Sequence, residues 1–301
     1  MTRVESLDSK RVLDAIGDMM PSGLVVPERL YHYTTFDVWQ LLSSGNADLC
    51  CTDFHELNDS REYNYGFNCM AEVLARDSEN DKDLASRLRR LKNAVLQAGS
   101  LYAYSPWVFS LSKEKDSLHQ WVSYTDKKDG GVAIDLSADK LLNHLNSRGC
   151  PTLGKCRSYL VPCLYAKDGR FTLDGEDIDL AGLFERLVDG VGGCANLDGL
   201  RDVLLLLASM IKDSSFSVEQ EWRVVLQFEE LDKSACADVV GGKLRVPFVL
   251  RSTPEMYALV AEVMAAPHTD LYLARRYLML PRIKNPLWKY KQCHSKISFR
   301  V

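Results

Sequence analysis

The chain has 301 residues, 46% hydrophobic and 26% charged, an ordinary globular balance with length enough to bury a sizeable core. A formal net charge of -4 and a pI near 5.9 give no overall pull toward nucleic acid or membrane. The nine cysteines are scattered, odd in number and without a Cys-x-x-Cys pair, which argues against a disulfide framework or a zinc ribbon and for reduced, buried thiols in a cytoplasmic protein.

The polar residues 1–18 lack the apolar stretch of a signal peptide, and the longest apolar run, 203–210, is too short to span a bilayer. Apolar positions over 5–20 predict an amphipathic helix within an N-terminal extension, 1–28. Short extended segments follow at 24–26 and 30–33, then a helix over 36–43 stopped by Gly45, and a strand at 47–51. Asn58-Asp59 marks a turn or helix cap. Helices are expected over 61–77 and 83–99, a strand at 106–111, a short helix over 117–124, a strand at 132–136 and a helix over 138–146. Residues 159–165 read as a strand. The Gly- and Asp-rich stretch 171–194 reads as an insertion carrying one helix. A very apolar helix over 197–212 precedes strands at 221–228 and 244–250, a helix over 253–265 and an extended tail from 290. Strands and helices mix without a βαβ repeat. The expectation is one α+β domain, 1–301, with a mixed, mostly antiparallel central sheet and flanking helices.

Polar and aromatic signatures punctuate this framework: Tyr31-His32-Tyr33-Thr34, Asn58-Asp59-Ser60-Arg61-Glu62, Ser110-Leu111-Ser112, Trp121-Val122-Ser123-Tyr124 with Gly130-Gly131, and Glu219-Gln220-Glu221-Trp222-Arg223. Such residues are costly to bury without partners, so their convergence on one polar site is expected. His32 has the chemistry to hydrogen-bond a ribose hydroxyl, and its flanking tyrosines to stack on a flat heterocycle. Trp121 and Tyr124 share a helix face. Glu219 and Glu221, on one side of an extended chain, would repel each other and raise a pKa. Motifs of dinucleotide-binding dehydrogenases, P-loop enzymes, zincins and α/β-hydrolases are absent, and no histidines pair at metal-ligand spacing. The last 31 residues hold eight basic residues and no acidic one, so the basic tail 275–300 is a candidate nucleic-acid or phosphate surface as well as a plain solvated face.

The ordered set of signatures, closed by Ser295-Lys296-Ile297-Ser298-Phe299-Arg300, resembles a large family of uncharacterised bacterial proteins over residues 29–301. Ser60 stands where that family usually has proline. The strand ending in His32, the helix with Tyr124 and the late Glu-x-Glu also resemble ADP-ribosyltransferases of the His-Tyr-Glu type. That resemblance implies an ADP-ribosyltransferase-like fold and NAD as substrate, without a metal. Glu221, Glu219 and His32 would be catalytic, while Tyr31, Tyr33, Thr34, Asn58, Trp121, Tyr124 and Arg223 would bind the cofactor. It implies transfer of ADP-ribose to a protein or nucleic acid, or hydrolysis of NAD, in a toxin, secreted effector or phage-defence component. Two other readings stay open: a non-enzymatic ligand-binding or interaction module, and a metal-dependent nuclease using Asp59, Glu62 and Glu219.

Overall fold

The computed structural model describes residues 17, 20–21, 24–58, 61–76, 82–99, 105–148, 156–190, 197–228, 238–240, 242–249 and 253–298; most of the expected helix over 5–20 lies outside them. Strand β1 (Arg29–Thr35) runs directly into α1 (Phe36–Ser43), whose first turn is capped by the Thr35 hydroxyl accepting from the Val38 amide. β2 (Leu49–Asp53) precedes α2 (Glu62–Arg76) and α3 (Lys82–Gly99). β3 (Trp107–Ser112), α4 (Leu118–Tyr124), β4 (Gly131–Ser137) and α5 (Ala138–Arg148) come next. Then follow β5 (Cys156–Pro162), β6 (Leu164–Lys167), β7 (Arg170–Leu173), β8 (Glu176–Ile178), α6 (Leu180–Gly190), α7 (Leu197–Met210) and β9 (Ile211–Asp213). The chain closes with β10 (Glu221–Phe228), β11 (Asp238–Val240), β12 (Lys243–Val249), α8 (Pro254–Leu259), β13 (Val260–Ala265), α9 (Leu271–Lys284) and β14 (Lys291–His294). The architecture is α+β with a mixed, mostly antiparallel sheet and flanking helices.

Contacts divide the chain into two compact units. The first comprises the described residues of Met1–Val25, Asp53–Trp107 and Val161–Ser217; the second comprises those of Val26–Thr52, Val108–Leu160 and Val218–Val301. In the first unit, α2, α3, α6 and α7 accompany a four-stranded sheet in the order β8-β7-β6-β9. Gly66 lets α2 approach α7 closely, because a Cβ there would run into the Ala208 backbone. The stretch 171–194, expected as an insertion with one helix, contributes β7, β8 and α6. Asp174-Gly175 within it and Asp168-Gly169 just before it are hairpin turns: Asp168 and Gly169 have φ of 51° and 75°, Asp174 and Gly175 51° and 86°, the left-handed pair that a two-residue turn between twisted strands requires.

The second unit holds the ten-stranded sheet, ordered β11-β12-β2-β3-β1-β4-β13-β14, with β10 pairing β3 and β5. Residues 253–265, expected to be all helix, stop being helical at Leu259. Val260–Ala265 is a strand set antiparallel to β4 and parallel to β14. Alanine, glutamate and methionine favour helix locally, but burial of Val263, Met264 and Ala265 between two strands overrides that preference. Gly131 opens β4 where a Cβ would collide with the Thr34 carbonyl, so the second glycine of the Gly130-Gly131 pair serves a close approach of backbones.

Candidate functional site

Strand alternation sorts the Tyr31–Thr34 signature onto two faces of the sheet. Tyr31 pairs with Ser112 on β3 and with Asp135 on β4, while His32 pairs with Ile134, Tyr33 with Ala133 and Thr34 with Val132. Tyr31 and Tyr33 therefore share one face, packed with Trp121, Met264 and half-buried Tyr124. His32 and buried Thr34 lie on the other. There the imidazole stacks on Phe109 at 4.4 Å, and its Nδ1 lies 3.1 Å from the Ser110 carbonyl, which fixes a proton on Nδ1. Burial, opposed in part by that hydrogen bond and aided by the Arg245 charge, lowers its pKa to about 4. His32 is a neutral, half-buried ring on the sheet face opposite Tyr31 and Tyr33.

On the tyrosine face the signatures are bonded to one another. The Tyr33 hydroxyl donates to the Glu114 carbonyl (2.7 Å) and accepts from the Ser117 amide. Trp121, fully enclosed, meets Tyr33 edge-on and donates its indole N–H to Asp116 at 2.7 Å. Asp116 also receives the Ser295 hydroxyl (2.6 Å) and the Lys296 amide, which fastens the C-terminal signature to the α4 region. The Ser112 hydroxyl donates to the Glu219 carbonyl at 2.7 Å, as does the Gln120 side chain at 3.3 Å. Tyr33, Trp121 and Ser112 thus hold the scaffold of this face, and Trp121 offers no free ring surface for stacking.

Glu219 and Glu221 are bonded to different partners. Gln220 has a φ of 42°, so the extended alternation expected across the three residues is broken. Buried Glu219 accepts from the Tyr124 hydroxyl at 3.0 Å and lies 3.5 Å from Nε2 of half-exposed His119. Buried Glu221 is forked by Arg223, with Nε 2.9 Å from Oε1 and Nη2 3.1 Å from Oε2. One carboxylate is neutralised inside the fold; the other is held by a phenol and reaches the surface through a histidine.

A polar row crosses the same face: Ser112, Tyr31, Asp135, Glu262 and Lys291, one residue per strand from β3 to β14. Asp135 is 7% exposed, and its buried Oδ1 accepts no hydrogen bond and lies 3.6 Å from the Arg29 guanidinium. Burial, reinforced by Glu262 and opposed by Arg29, pushes its pKa up to about 6. Glu262 takes Lys115 Nζ at 2.7 Å and the Cys293 thiol at 2.9 Å. Burial works to raise the Glu262 carboxyl, but those two donors hold it below its ordinary value. Burial and the bond to Glu262 push Cys293 up to about 12, leaving an unreactive thiol. Burial and then Asp135 raise Tyr31. A carboxyl that changes protonation near neutrality beside a phenol is equipped to orient a ligand hydroxyl or exchange a proton with it.

The sequence reading missed Asp135, Glu262, Lys115, Asp116 and His119. Asp135 had a signal, a carboxylate inside the apolar run Val132-Ala133-Ile134-Asp135-Leu136. Glu262 had none while its stretch read as helix. Asn58 is exposed and belongs to the first unit, as does buried Glu62, while Asp59 lies outside the described residues. Among the described residues no group of three or more His, Cys, Asp or Glu is placed to hold a metal ion.

The raised carboxyl makes Asp135→Asn a clean test of the row. A folded-state pKa above the unfolded value of 3.8 gives stability that is complete at low pH and lost as pH rises through about 6. Asp135→Asn is expected to gain about 1–2 kcal/mol at pH 7–8 and little at pH 4, read from urea unfolding at both pH values. No family model, curated protein or solved structure matches the chain.

Proposed function

We propose that the protein is an ADP-ribosyltransferase-like enzyme that binds NAD and transfers ADP-ribose to a macromolecular acceptor, or to water. The observation that carries this reading is the buried Glu219 carboxylate, hydrogen-bonded to Tyr124 and in reach of half-exposed His119. Cleavage of the bond between nicotinamide and ribose leaves the bonding pair on nicotinamide and positive charge on the sugar. A preorganised carboxylate stabilises that charge. The acceptor's oxygen or nitrogen then bonds to the same carbon and loses its proton, which a nearby base accepts. In this assignment Glu219 is the charge-stabilising group and Tyr124 orients it. The Tyr31–Asp135 row supplies contacts for ligand hydroxyls. His32 and Glu221, which the family resemblance makes catalytic, are assigned to the fold instead.

A second reading, a non-enzymatic ligand-binding or interaction module, is favoured by that same commitment of His32 and Glu221 to partners within the fold. Nicotinamide release from NAD, with and without cell lysate as a source of acceptor, separates the two. The enzyme reading expects release by the wild type, slowed about 10- to 100-fold in Tyr124→Phe through loss of a hydrogen bond to a charged group. Release that depends on lysate identifies a macromolecular acceptor. Release by neither protein under either condition favours the module.

A further inference from the structure

Helix α9 is apolar on two sides. Ala274, Leu278 and Pro281 are buried against the sheet side, yet the opposite side carries Tyr272 (73% exposed), Met279 and Ile283 (69%), with Leu273 and Leu280 beside them. Residues 272, 279 and 283 fall within one narrow sector of the helix surface, with Arg276 between Tyr272 and Met279. Leu287, 62% exposed, extends the apolar surface just beyond the helix. An exposed apolar patch of this kind marks a surface that meets something else.

The charge around the patch says what that is. Arg275 and Arg282 flank it on one side, Lys284 on the other, Arg276 stands within it, and Lys289 and Lys291 follow; all are exposed. No acidic residue occurs from Leu271 onward, although the whole chain is net acidic. Beside the patch lies an open hollow of about 710 Å³, lined by Met279, Ile283 and Trp288 with Arg282 and Lys289. The partner must therefore be anionic and able to receive aliphatic side chains. A second copy would set like charges against one another. Nucleic acid would pair with the cations but leave a patch of leucine, isoleucine and methionine against phosphate and water. An apolar patch flanked by arginines suits a fluid surface that it can enter, with the cations at the headgroups.

We propose that α9 and the segment through Lys291 form a docking face for an anionic lipid bilayer. The attachment is peripheral: no described helix is long and apolar enough to cross a membrane. The proposal is independent of the reaction assigned above and places that reaction at a membrane surface.

The test is flotation of the full chain with phosphatidylcholine vesicles and with vesicles in which about a third of the lipid is phosphatidylserine. Binding is expected on the second only, weakening as salt is raised. Arg275→Gln with Arg282→Gln should weaken it about fivefold per arginine, and Tyr272→Ser with Ile283→Ser should abolish it. All four positions are exposed, and an unchanged melting temperature confirms that the variants are folded. Failure of the wild type to float with anionic vesicles overturns the proposal. So does equal binding to both vesicles, or indifference to both pairs of substitutions. Retention of duplex DNA, undiminished by the apolar pair and without vesicle binding, overturns it in favour of a nucleic-acid surface.

Discussion

Arg223→Met is expected to lower the free energy of unfolding by about 3–5 kcal/mol, the cost of leaving a buried partner charge uncompensated. Arg223 is 1% exposed and Glu221 4%, and the guanidinium grips the carboxylate with two hydrogen bonds. Taking away the cation removes two charge-assisted hydrogen bonds from an anion that stays buried. Glu221→Leu should be destabilising for the mirror-image reason. Combining the two removes both charges, and the double variant is expected to recover at least half of the loss, because a buried ion pair exchanges for apolar packing at small net cost. Urea unfolding of the four proteins gives the cycle. Additive losses would show that Glu221 is not held chiefly by Arg223, and would reopen a catalytic role for it.

His32 is expected to contribute stability that acid removes over a defined window. Its folded-state pKa, about 4, lies below the unfolded value of 6.5, so the folded protein resists a proton that the unfolded chain accepts. The stabilisation is complete above pH 6.5 and is lost as pH falls toward 4, about 3 kcal/mol in all. Asp135 works with the opposite sign between pH 4 and 6, because its carboxyl takes up a proton more readily in the folded state. The wild-type profile in that range is therefore shallow. Asp135→Asn should steepen it by exposing the histidine, and His32→Asn should flatten the decline between pH 6.5 and 6. Stability measured at half-unit pH steps for these proteins separates the two groups.

Much of the framework was legible in the sequence because its signals are local. The helices of 62–76 and 82–99 and strand β10 follow from apolar periodicity, and the α+β class follows from their mixture. What escaped depends on tertiary context. Val260–Ala265 reads as helix until two neighbouring strands enclose it. The Asp174-Gly175 turn looked like insertion composition until its left-handed backbone defined a hairpin. At the site, spacing alone could not say which face each side chain takes. Tyr31 and His32 are neighbours in sequence and lie on opposite sides of the sheet. Glu219 and Glu221 look paired, yet the left-handed Gln220 sends them to different partners. Asp116 gathers Trp121 and Ser295 into one hydrogen-bonded group, so several signatures that resembled a ligand site are the ties that hold its scaffold.

We propose Glu219, on the tyrosine face, as the working carboxylate, with His32 serving stability from the other side of the sheet. The measurement is nicotinamide release from NAD by the wild type, Glu219→Gln and His32→Asn, each corrected for its folded fraction at pH 7.5. The expected result is release by the wild type, a loss of about 100- to 1,000-fold in Glu219→Gln, and a near-wild-type rate per folded molecule in His32→Asn. A folded but inactive His32→Asn beside an active Glu219→Gln would contradict it, as would a wild type that releases no nicotinamide.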